Sequence, residues 1–123
     1  MRRVLVVDGA NVVGSRPDGW WRDRPGAAAR LHHRLAVADT SYDEIVLVLE
    51  GQAKGGVPKG KDAHLRTVHA ARDGDSAIAD EARSLRAQDA DVVVVTADRG
   101  LQQRVEVLGC RTMSPGWLLD LLD

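Results

Sequence analysis

Three uninterrupted apolar runs, VLVV (4–7), IVLVL (45–49) and VVVV (92–95), set the first constraint on the fold. A strand with one wet face alternates apolar and polar residues. A strand that does not alternate is covered on both faces, the situation of a parallel sheet held between helical layers. A weaker run lies between Val105 and Met113, and a shorter one covers Leu65–His69. Helical patterns separate them. In GAAARLHHRLAVAD (26–39), Leu31 and Leu35 share a face and the alanines favour helix. In DSAIADEARSLRAQD (75–89), Ile78, Ala82 and Leu85 fall at helical spacing, with Asp75 placed as the N-cap. DRGLQQRV (98–105) pairs Leu101 with Val105, and SPGWLLDLLD (114–123) opens with a capping Ser and a Pro at the first helical position. Strands alternating with helices predict a three-layer α/β/α sandwich around a mainly parallel sheet of four to five strands.

The chain has 123 residues, enough for one domain over 1–123 that buries about two-thirds of its unfolded surface. With no Phe and one Tyr, its core must be aliphatic. The single cysteine, Cys110, has no partner for an internal disulfide and reads as a small buried apolar residue, which fits a cytoplasmic protein. The apolar run after Arg2 and Arg3 ends within four residues at Asp8, too short for a signal peptide or a membrane span. The formal net charge of −1 gives no general attraction to nucleic acid, so such binding requires a local basic surface. Two loops break the α/β pattern. GSRPDGWWRDRPG (14–26) sets adjacent tryptophans among arginines, and GQAKGGVPKGK (51–61) is Gly-rich with three lysines and reads as exposed and mobile.

The chemistry gathers where the strands end. In a parallel α/β sheet ligands sit beyond the carboxyl ends of the strands. VLVVD ends in Asp8, IVLVLE in Glu50 and VVVVTAD in Asp98, while Asp75 follows the Leu65–His69 strand at a helix start. Four carboxylates therefore reach one rim from four parts of the chain. Two charges about 4 Å apart repel by roughly 4 kcal/mol at an effective dielectric of about 20. Hard divalent cations such as Mg²⁺ or Mn²⁺ resolve that repulsion and suit oxygen ligands. One or two such ions activate water and stabilise charge on a phosphodiester. Asn11 is placed to orient a carboxylate without adding charge. For each residue alone a plainer reading stands beside this one: an Asp after a strand is commonly a cap or turn residue, and Glu50 before Gly51 a solvated strand end. Asp73, Asp80 and Glu81 compete for the same roles, the last two as the solvated flank of a helix.

These motifs resemble a family. VDGAN (7–11), VLEG (48–51), GDSAI (74–78) and VTADRG (95–100) are similar, in order, to the NYN branch of the PIN-like nucleases, particularly its YacP-like group. The resemblance covers the chain from Val4 to about Trp117. It implies a PIN-like fold, a Mg²⁺ or Mn²⁺ centre and endonucleolytic cleavage of RNA. Asp8, Asp75 and Asp98 match the family's recurrent carboxylates and Asn11 its amide. Glu50 stands where that group commonly has an aspartate, and Ser76 where a second acidic residue is common.

Trp20 and Trp21 are candidates for stacking on bases, and Arg16, Arg22, Arg24, Lys54, Lys59 and Lys61 for contacting phosphates. Arg99 is placed to steady a scissile phosphate or to pair with a carboxylate. The expected partner is RNA, in single-stranded or loop regions, with the ribosome or another ribonucleoprotein as a further expectation. The four histidines show no zinc-ligand spacing with cysteine. GGVPKGKD (55–62) nearly fits a phosphate-binding loop, but Asp62 replaces the required hydroxyl and opposes phosphate. Two other functions share the fold or the ligands: a PIN-like module that binds RNA or protein without cutting it, and a small-molecule phosphatase or nucleotide hydrolase.

Overall fold

The computed structural model describes residues 1–123. Its centre is β1 (Arg3–Asp8), which pairs in parallel with β2 (Glu44–Leu49) on one side and β5 (Asp91–Val95) on the other. Val6 faces Val46 and Val94 across the two ladders. Beyond β2 lies β4 (Leu65–His69), also parallel, and beyond β5 lies β6 (Arg111–Met113). A short β3 (Gly60–Asp62) closes one edge antiparallel to β4, giving the order β3-β4-β2-β1-β5-β6.

The apolar runs are continuous because each strand feeds two cores. Leu5, Val7, Ile45, Leu47 and Leu49 point to one face, where α1 (Gly9–Val13), α2 (Arg24–Val37) and α5 (Pro115–Leu122) add Val12, Leu31, Leu35, Leu118 and Leu119. Val4, Val6, Val46, Val92 and Val94 point to the other, against Ile78, Ala82 and Leu85 of α3 (Gly74–Ala87) and Leu101 and Val105 of α4 (Arg99–Val107). Burying a Val or Leu side chain contributes about 1.5–3 kcal/mol, so the two faces together supply the driving force. No helix is long and apolar enough to cross a membrane.

The sandwich and its parallel sheet agree with the sequence pattern, but several elements differ in detail. The sheet has six strands, since the lysine loop is not irregular throughout: it forms a 3₁₀ turn over Gly51–Gly56 and then β3. In the Val105–Met113 segment the first three residues end α4, and strand is confined to the last three. Gly109, at φ +93°, makes the turn between them. The N-cap of α3 is Asp73, not Asp75; its carboxylate accepts from the Ser76 N–H at 2.7 Å. Asp75 lies inside the first turn with its side chain released from capping. Ser114 caps α5 as expected, accepting from the Trp117 N–H.

Strand order sets the position of the site. From β1 the chain moves outward to β2 and β4. It then returns through α3 to β5 on the opposite side of β1 and continues outward to β6. The crevice where the order reverses lies at the carboxyl ends of β1 and β5, the usual ligand position in open α/β sheets.

Candidate active site

Asp8 ends β1 and is 3% exposed. Gly9 follows at once because α1 presses against β2: a Cβ there would stand 2.7 Å from the Val48 carbonyl oxygen and 2.9 Å from Leu49 Cδ2. Tight entry into α1 brings Asn11 back over Asp8. The Asn11 side-chain amide donates to Asp8 Oδ2 at 2.6 Å, and its backbone N–H donates to Oδ1 at 3.3 Å. From the far side of the crevice the Thr96 hydroxyl donates to the same Oδ2 at 2.8 Å. The carboxylate is thus fixed from both strands, with Oδ1 the less occupied oxygen.

Thr96 also organises the next ligand candidate. Its hydroxyl oxygen accepts from the Asp98 N–H at 3.1 Å, its carbonyl accepts from Gln102 Nε2 at 3.0 Å, and Asp98 caps α4 through the Leu101 N–H at 2.9 Å. Asp75 approaches from α3. Its pKa is raised by burial first, then by the charges of Asp98 and Asp8 and by its side-chain hydrogen bond with Asp98. That of Asp8 is raised by burial, with the hydrogen bonds from Thr96 and Asn11 pulling the other way and Glu50 adding repulsion. Glu50 leaves β2 and accepts from the Gly74 N–H at 2.7 Å, which ties the end of β2 to the start of α3.

The structure brings Asp8, Asn11, Asp75, Asp98 and Glu50 to one rim, the position the sequence pattern gives them. That pattern missed Thr96, although a hydroxyl directly after VVVV, at the mouth of a buried strand, was the available signal. The competing acids have other employment. Asp73 is a cap, Asp80 pairs with Arg83 at 3.0 Å, and Glu81 grips Arg66 at 2.8 and 3.1 Å. As the side chains stand, no three Asp, Glu, His or Cys groups close around one point.

The donor set nonetheless suits a hard cation: oxygen only, negative, and uncompensated. Every ion pair in the molecule is made by other acids, namely Asp80, Glu44, Glu81, Asp91 and Asp123. None reaches Asp8, Glu50, Asp75 or Asp98.

The expected substrate contacts are dispersed. Trp20 and Trp21 form a 3₁₀ turn with Arg22 and meet edge to face at 5.9 Å. Arg22 lies 5.8 Å from the Trp21 ring centre and Arg24 5.0 Å from that of Trp20. Trp20 helps line a cavity that begins at Glu50. Arg99 is exposed at the first residue of α4, beside Asp98. Lys54 donates to the Ala70 carbonyl at 3.1 Å, and Lys59 is exposed before β3. Lys61 pairs with Glu44 at 3.3 Å, at the amino end of β2, on the opposite edge of the sheet from the carboxylates.

Comparison with known proteins bears on the fold and the family. The crystal structure of a single-substitution variant of Rae1 (YacP) from Bacillus subtilis superposes with a TM-score of 0.76, at 20% identity, covering 98% of this chain and 74% of that one. At that identity the likeness speaks to the fold. Among curated proteins there is no significant match. The family model described as the YacP-like NYN domain matches residues 5–123. The chain belongs to the YacP-like NYN domain family, within the PIN-like nucleases.

Proposed function

We propose that this protein is a metal-dependent endoribonuclease that hydrolyses RNA phosphodiester bonds at the crevice between β1 and β5. The observation that carries the reading is the set of four rim carboxylates that no Lys or Arg side chain pairs with, in a molecule whose ion pairs use other acids. Asp8, Asp75 and Asp98, with Glu50, would hold Mg²⁺ or Mn²⁺. When bound, such an ion supplies charge neutralisation and Lewis-acid polarisation of a phosphodiester. The chain's own part is positional. Asn11 and Thr96 hold Asp8 Oδ2 and leave Oδ1 with only the longer bond from the Asn11 backbone N–H. Asp75 stands among the charges of Asp98 and Asp8, a repulsion that a bound cation would relieve. Arg99, next to Asp98, is placed to receive the phosphate.

The test incubates the full chain with end-labelled single-stranded and hairpin RNA, with Mn²⁺, Mg²⁺ or chelator. Internal cleavage that needs the metal and vanishes in Asp8→Asn is expected; equal cutting by Asp8→Asn overturns the assignment. A second reading, a module that binds RNA without cutting it, draws support from Glu50, whose carboxylate is engaged by the Gly74 N–H. Metal-dependent RNA binding with the strand left intact would establish that reading instead.

A further inference from the structure

The cavity beside Glu50 has features that cation binding does not use. It encloses about 520 Å³ and runs from the start of α1 to the tryptophan turn and the Gly51–Gly56 turn, with Ala10, Trp20, Arg24, Glu50, Gln52 and Arg72 on its walls. The volume falls within the range of small-ligand sites and suits one nucleotide. Trp20 is half-buried, meets Trp21 edge to face at 89°, and carries the Arg24 guanidinium 5.0 Å from its ring centre, so a base entering the cavity would stack on the ring as Arg24 turns to the phosphate. Arg24 and Arg72 enter no ion pair, so both guanidinium charges remain available to an anion. Ala10 gives that wall no bulk. Across Val13, which lines both, a second cavity of about 210 Å³ carries Arg16, Arg30 and Arg34, so positive charge continues along the same face. Arg16 and Arg34 there share Asp123, and Arg30 has no acidic partner.

We infer that this cavity is the subsite for one unpaired nucleotide flanking the cut, its base stacked on Trp20 and its phosphates held by Arg24 and Arg72. Gln52, exposed at the lip with both a donor and an acceptor, faces the base edge. Unstacked bases laid on aromatic or guanidinium planes are the general means of reading single-stranded RNA. A base inside a helix is already stacked and paired on both sides and cannot enter. The inference rests on the RNA reading above and adds to it a requirement for an unpaired residue at a defined position beside Glu50.

The experiment measures affinity in the uncut state, using the full-length Asp8→Asn protein with Mn²⁺. The probes are a single-stranded octamer, the same octamer with one abasic residue at successive positions, and the same sequence closed in a hairpin stem. The octamer should bind at least about tenfold more tightly than the stem, and one abasic position should stand out by a similar factor. Trp20→Leu should lose about tenfold for the octamer. Arg72→Ala should weaken it and reduce the salt slope by about one. Arg83→Ala, on the outer face of α3, should match the parent. Arg72 is exposed and its loss leaves the core intact, so that arm decides the matter if Trp20→Leu fails to fold. Unchanged affinity in Trp20→Leu and Arg72→Ala, or equal affinity for the stem, overturns the subsite. If the wild type still cuts RNA in that case, the nuclease reading stands alone. If these variants weaken binding but the wild type never cuts, the subsite stands and the nuclease reading falls.

Discussion

Asp73 and Asp75 sit two residues apart at the start of α3 and are perturbed in opposite directions. The Ser76 N–H and hydroxyl stabilise the Asp73 carboxylate and hold its pKa below the ordinary value. Asp75, more buried and facing Asp98 and Asp8, is held above it. Between the unfolded and folded pKa of Asp75 the native state binds more protons, so stability contributed by its protonated form is lost as pH rises through that window. At neutral pH the charge of Asp75 therefore opposes folding. Asp75→Asn, whose amide donates to Asp98, should unfold at higher urea than wild type at pH 7, and the gain should shrink as pH falls toward 4 in metal-free buffer. A gain that is constant over that range, or a loss, would refute the electrostatic account. Thr96 makes a second prediction at this scale. Thr96→Val keeps the shape but removes the donor to Asp8, and outer hydrogen bonds to ligands typically govern 10–100-fold in metal affinity. Calorimetric Mn²⁺ titration should show a loss of about that size, with Thr96→Ser recovering most of it; unaltered affinity in the valine variant would leave Thr96 a purely structural residue. The positions of Asp8 and Asp98, at or just past the ends of buried strands, were legible in the sequence because those strands are unbroken apolar runs. Which of two nearby aspartates caps α3 was not, since both positions satisfy the local pattern and only packing against β1 separates them.

Among the α-helices, α1 is the one the sequence concealed. It has five residues and no helical period of its own, and it forms because Asp8 caps it while Gly9 lets it lie on β2. Gly9→Ala must push the Val48 carbonyl or the Leu49 side chain aside. Overpacking of this kind costs about 1–3 kcal/mol, and urea denaturation should show a loss in that range with the slope unchanged. Because α1 carries Asn11, metal affinity should fall as well; a variant as stable as wild type would mean that α1 can lift from β2 freely. The edge strand β3 was hidden for a different reason. Its three residues are all exposed, so no hydrophobic period marks them, and only pairing with Leu65, Arg66 and Thr67 defines the strand. The long strands show the opposite case. Burial on both faces writes itself into the sequence as unbroken Val, Ile and Leu, and β1, β2 and β5 emerge where those runs lie.

Across the whole molecule, charge is segregated in a way the net value of −1 hides. Unpaired carboxylates meet at the β1–β5 crevice, and unpaired arginines line the adjoining cavity beside α1 and α2. The aliphatic cores on either side of the sheet close without help from the site. Folding therefore needs no metal, and on the metal-dependent reading proposed above the repulsion at the rim would make cation binding a stabilising event. A ligand that binds only the native state at 100 times its Kd adds about 2.7 kcal/mol. For a chain of this length that is on the order of 10 °C in Tm. Saturating Mn²⁺ should raise Tm by that order in wild type, chelator should leave the apo value and the far-ultraviolet dichroism unchanged, and Asp8→Asn should show almost no shift. Asp80→Asn, whose parent residue pairs with Arg83 on the surface of α3, should follow wild type. Asp75→Asn should invert its ranking, more stable than wild type without the metal and less stable with it. Equal Mn²⁺ shifts in wild type, Asp8→Asn and Asp75→Asn would mean that the cation binds elsewhere, and the rim would then be only four costly carboxylates.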